Sequence, residues 1–109
     1  MVRTLSALDV ASLREKQGEK VFLLDVREDE ERLTAHIEPS AHIPIQEIPG
    51  RIAEIPKDRT VVVYCHHGTR SAMVAGFLEA EGYHDVVNLA GGIDAWSVRV
   101  DPKVRRYSW

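Results

Sequence analysis

The sequence predicts an α/β domain built on a central, mainly parallel sheet. Three observations point there. Val21-Phe22-Leu23-Leu24-Asp25-Val26 is apolar on both faces except at Asp25, as a strand buried in a parallel sheet is. Thr60-Val61-Val62-Val63-Tyr64 is rich in β-branched residues, which suit a pleated, packed surface. Helical stretches alternate with these runs, the pattern of successive βαβ units.

The elements follow in chain order. Ser6 is placed to cap a helix carrying Leu8, Ala11 and Leu13, which ends near Gly18. The first strand is 21–26. A short helix is expected over Glu30 to Ala35, and a short strand over Ala41 to Pro44. Pro49 suits the first turn of a helix with Ile52 and Ile55 on one side, closed by Pro56. The strand at 60–64 runs straight into Cys65. Ser71 to Glu81 reads as a helix with Ala72, Val74, Ala75, Phe77 and Leu78 apolar and Gly82 as its stop. Val86 to Leu89 is a further strand. Gly91-Gly92 then turns the chain into a short helix through Trp96.

The 109 residues fit one domain, 1–109. No apolar run approaches the ~18 residues of a membrane span. The first ten residues carry Arg3 and Asp9 and lack the apolar core of a secretory leader. A net charge of -3 argues against nucleic-acid or anionic-membrane binding. One cysteine excludes an internal disulfide and a CxxC redox pair, and suits a reducing, cytoplasmic setting. Glu28-Asp29-Glu30-Glu31 is expected as the solvated first turn of a helix, where acids suit the dipole.

The informative segment is Cys65-His66-His67-Gly68-Thr69-Arg70-Ser71. It places a cysteine where a buried strand ends and a helix begins, the edge at which open α/β sheets bind ligands. Gly68 permits a positive φ, so that backbone N–H groups of 66–71 can converge on one point. The helix N-terminus adds partial positive charge, and both effects favour a thiolate. The alternative for Cys65 is a small buried hydrophobe.

The chain resembles a single-domain rhodanese. The resemblance rests on Cys65 to Arg70 followed by Ser71, matching the family's six-residue loop. Leu24-Asp25-Val26-Arg27 is similar to its Asp-x-Arg strand end. Residues 35–44 are similar to its Gly-His-Ile-x-Gly-Ala-x-x-Ile-Pro segment, with Ala35 and Pro39 where glycines are common. Leu89 to Trp96 is similar to its Gly-Gly-x-x-Ala-Trp signature. The resemblance implies a three-layer domain and a sulfur relay through a Cys65 persulfide. The donor would be a small molecule such as thiosulfate, or a desulfurase. With no second cysteine to take the sulfur, the acceptor must be external: cyanide, a small thiol or a protein thiol.

Arg70 is expected either to bind the donor's anionic end or to pair with a neighbouring acid. His66 and His67 are expected to point outward, contacting donor or standing in solvent. A metal held by Cys65 and both histidines is disfavoured in so tight a loop, so no metal or other cofactor is expected. Asp25 and Arg27 are read as an ion pair or hydrogen-bond anchor, with direct substrate contact as the alternative, and His36 as a loop brace. The basic run Lys103 to Arg106 is read as solvated surface or a dock for an acidic partner. Two other functions compete. A binding module could keep the fold without catalysis. A cysteine phosphatase or arsenate reductase would resemble Cys, five residues, Arg, whereas four residues separate Cys65 from Arg70.

Overall fold

The computed structural model describes residues 2–109. The elements run β1 (Arg3–Leu5), α1 (Ala7–Gln17), β2 (Val21–Asp25), α2 (Asp29–Thr34), β3 (Ala41–His42), α3 (Ile48–Arg51), β4 (Thr60–Tyr64), α4 (Thr69–Ala80), β5 (Val86–Leu89) and α5 (Gly92–Arg99). The strands form one sheet in the order β1-β5-β4-β2-β3, with every pairing parallel. The sheet is therefore wholly parallel among the described residues.

Alternation along β4 divides the core into two layers. Val61, Val63 and Cys65 face one cluster, with Val74, Ala75 and Leu78 of α4 and Ile48 of α3. Val62 and Tyr64 face the other, with Val10 of α1 and Ile93 and Trp96 of α5. All five β4 residues are buried, which is why that segment reads as continuously apolar.

β2 and β4 are neighbours, but the chain leaving β2 continues to β3 and the chain leaving β4 continues to β5, on opposite sides. Such a reversal opens a crevice at the carboxyl ends of the strands. Asp25 and Arg27 lie at the end of β2, and Cys65 at the end of β4.

Local structure departs from expectation in several places. β1 has no counterpart in the sequence reading, because a three-residue edge strand is too short to show a period. α1 is capped as expected, the Ser6 hydroxyl accepting from the Asp9 N–H at 3.1 Å. The helix expected after Pro49 is one α-turn, Ile48–Arg51, continued by a 3-10 turn, Ile52–Glu54. α4 starts at Thr69, two residues before the expected Ser71, because Gly68 at φ 107° serves as its N-cap. Ala35 adopts an extended conformation, and no non-glycine residue has a positive φ, so the family's glycines at 35 and 39 are not needed.

Candidate active site

The sheet ends β4 at Tyr64 and delivers Cys65 into the crevice, 1% exposed. The chain turns through His66, His67 and Gly68 and enters α4 at Thr69. This turn brings two backbone N–H groups onto the cysteine sulfur: Gly68 N–H at 3.1 Å and Ser71 N–H at 3.4 Å from Sγ. The Ser71 hydroxyl lies 3.3 Å from the same sulfur. Two amides and the N-terminus of a twelve-residue helix thus surround Sγ with positive dipole ends.

Asn88 locks this arrangement from β5. Its Nδ2 donates to the Gly68 carbonyl at 3.2 Å, so its Oδ1 faces Ser71 and accepts the hydroxyl hydrogen at 2.6 Å. With its hydrogen so placed, Ser71 Oγ presents a lone pair to the Cys65 thiol. A polar residue inside a buried strand was the available signal for Asn88, and sequence reasoning missed it.

The last helix closes the loop from the other side. Ile93 N–H donates to the Cys65 carbonyl and Asp94 N–H to the His66 carbonyl, at 2.9 and 3.2 Å. Gly92, at φ 60°, lies against those two carbonyls. A Cβ there would overlap both oxygens.

Arg70 is turned to Glu31: Nη1 and Nη2 donate to the two carboxylate oxygens at 2.7 and 2.9 Å. Of its two expected roles, the structure contains the ion pair. Glu31 is 4% exposed, which corrects the expectation that all four acids of 28–31 are solvated. Glu28 and Glu31 form a capping box, and this draws Glu31 inward while Glu28, Asp29 and Glu30 stay exposed. The Tyr107 hydroxyl donates to Glu31 Oε2 at 2.6 Å. Burial alone would raise the Glu31 pKa, but the hydrogen bonds from Arg70, Tyr107 and the Glu28 N–H outweigh it and hold the value at about 2.

Asp25 and Arg27 form a fully buried pair, with Nε to Oδ1 at 2.8 Å and Nη2 to Oδ2 at 2.7 Å. Arg27 also donates to the Ala35 carbonyl at 2.7 Å and to the Tyr107 hydroxyl at 3.0 Å. The Tyr64 hydroxyl donates to Asp25 at 3.2 Å. No polar group of this buried pair is left to carry substrate. His36 braces its loop through Arg32 and Glu38.

The two histidines part company. His67 is exposed, as expected. His66 is not: it is 8% exposed and stacked between His67 and Tyr107, each ring centroid 3.9 Å away. The expectation of an outward His66 is thus corrected, because the C-terminal tail folds back over the loop. Within that tail Arg106 pairs with Asp94 at 2.8 and 3.1 Å. Nothing local in the sequence announces Tyr107 as a contact of the loop. Thr69 stands exposed at the start of α4.

Fold and site together define a parallel α/β domain that presents a lone cysteine in an amide-lined loop at the carboxyl edge of its sheet. Residues 6–99 match the model of the rhodanese-like domain. A protein of Allochromatium vinosum named sulfurtransferase is 40% identical over 95 residues, covering 85% of this chain and 89% of that protein. The putative sulfurtransferase YtwF of Bacillus subtilis is 36% identical, covering 91% and 97%. Among solved structures, a rhodanese-like domain protein of Staphylococcus aureus superposes with a TM-score of 0.80 at 31% identity, covering 97% and 99%. The chain belongs to the rhodanese-like family.

Proposed function

We propose that this protein moves a sulfane sulfur from a small donor such as thiosulfate, through a persulfide on Cys65, to an external acceptor. The observation that carries this reading is the convergence of the Gly68 and Ser71 N–H groups on Sγ. The Cys65 thiolate attacks the outer sulfur of thiosulfate. The donor's S–S bond breaks, sulfite leaves with the electron pair, and a new S–S bond forms on Cys65. Cyanide or a thiolate then attacks the terminal sulfur, and the Cys65 thiolate departs. The loop amides stabilise the anionic sulfur at both stages without moving.

Relatives named sulfurtransferase support the general class. A Bacillus subtilis relative, 32% identical, is named putative sulfur carrier protein YrkF, so a protein donor or acceptor fits the same relay. The four-residue spacing between Cys65 and Arg70 makes a smaller cradle than phosphoryl chemistry uses. Arg70, neutralised by Glu31, serves in this reading to hold the loop. Intact-mass measurement after exposure to thiosulfate tests the proposal. The chain should gain one sulfur at Cys65 and lose it on adding cyanide. Failure to load from any sulfane donor would leave a binding module instead.

A further inference from the structure

We propose that His66, His67 and Asp94 form a binding site for a zinc-type divalent cation at the rim of the Cys65 loop. One ligand atom from each residue lies within 4.8 Å of the other two. Two imidazoles and one carboxylate are a donor set that suits zinc and leaves a fourth position open.

The backbone holds these residues together. His66 and His67 are consecutive, and the Asp94 N–H donates to the His66 carbonyl at 3.2 Å, which ties the first turn of α5 to the loop. His67 Nε2 already approaches Asp94 Oδ2 to 3.9 Å. A tetrahedral ion with ligands at about 2.1 Å needs donor atoms about 3.4 Å apart. Closing the remaining gap takes rotation of His67, whose side chain is 64% exposed, out of its stack on His66, and of the partly exposed Asp94 away from Arg106.

A second observation is independent of this spacing. His66 Nε2 is buried and has no hydrogen-bond partner, a condition shared among the described residues only with Arg59 Nε. Buried polar atoms are nearly always satisfied, and an orphaned one calls for a water or an ion. Arg106 pairs with Asp94 and is itself largely exposed, a surface cation that competes for the same carboxylate.

None of the three donors is Cys65, although His66 and His67 belong to the loop that presents it. The test is zinc chloride titration of the untagged full chain against a chromophoric chelator, with a phosphine reductant present. One equivalent should bind. His67→Ala and Asp94→Asn should each weaken binding by more than about tenfold, as loss of a ligand costs at least as much as loss of its support. Cys65→Ser should bind as wild type does. Arg106→Ala should bind more tightly, because a competing cation is gone. Absence of zinc binding, binding that follows Cys65 instead of His67 and Asp94, or an Arg106→Ala chain that binds no more tightly would each overturn the site.

Discussion

Glu31 and Arg70 face each other in a two-pronged ion pair, at 2.7 and 2.9 Å, joining the first turn of α2 to the first turn of α4. The loop that presents Cys65 lies directly before Arg70. The pair therefore fixes the helix end from which the loop departs. Its carboxylate is buried and its guanidinium one-third exposed, so removing the arginine strands a charge beneath the surface.

Arg70→Ala should accordingly lower stability by about 2 kcal/mol, the range for losing a charged hydrogen-bond partner of a buried group. If the arginine acts through loop geometry, loading from thiosulfate and unloading to cyanide should slow together. Single-turnover measurement of each half-reaction, with a melting curve, checks this. Slowing confined to loading, at unchanged melting temperature, would instead assign Arg70 to the donor's sulfonate.

The pH dependence of stability should carry the signature of Glu31. Its folded pKa is about 2, below the ordinary 4.5. A depressed carboxylate pKa contributes stability that is complete above about 4.5 and is lost as pH falls toward 2. The contribution is on the order of 3 kcal/mol by linkage. Urea unfolding of wild type and Glu31→Gln across that window should show a difference that shrinks with acidification. A constant difference would contradict the assignment.

Cys65→Ser should abolish sulfur transfer and leave the fold intact. The hydroxyl fits the same cradle, but it is a far weaker nucleophile at neutral pH. Turnover near the wild-type rate would remove Cys65 from the mechanism. A melting temperature close to wild type separates lost chemistry from lost structure.

Gly92→Ala should destabilise the chain by about 1–3 kcal/mol, the usual cost of overpacking. The added methyl meets the Cys65 and His66 carbonyls at a positive φ. Sulfur transfer should fall as well, because the same carbonyls accept the N–H groups that pin the loop. Chemical unfolding and thiosulfate turnover measure the two effects. An unchanged protein would mean that α5 does not restrain the loop.

Much of the fold was legible in local pattern. β2 and β4 are buried on both faces, so their residues had to be apolar throughout, and that run is visible without knowing what covers it. Ser6 and Gly18 mark the ends of α1 because capping is a contact within a few residues. The Cys65 loop was legible for the same reason: Gly68 and Ser71 reach the sulfur from three and six residues away. The segment 48–54 was misread because its short α and 3-10 turns share apolar spacing with a regular helix.

By itself the sequence determined the alternation of strand and helix and the position of Cys65 where one meets the other. It also determined that Cys65 is the one cysteine of these 109 residues. Those follow from backbone sterics, burial period and composition, all of which act locally or simply count. The tertiary structure decided the partners. Arg70 meets Glu31 from 39 residues away, Asn88 reaches Ser71 across two elements, and Tyr107 covers His66 from the far end of the chain. A side chain's charge and hydrogen-bonding capacity are written in its identity. Which group satisfies them depends on where parallel strands place their carboxyl ends, and only the folded sheet brings those ends together.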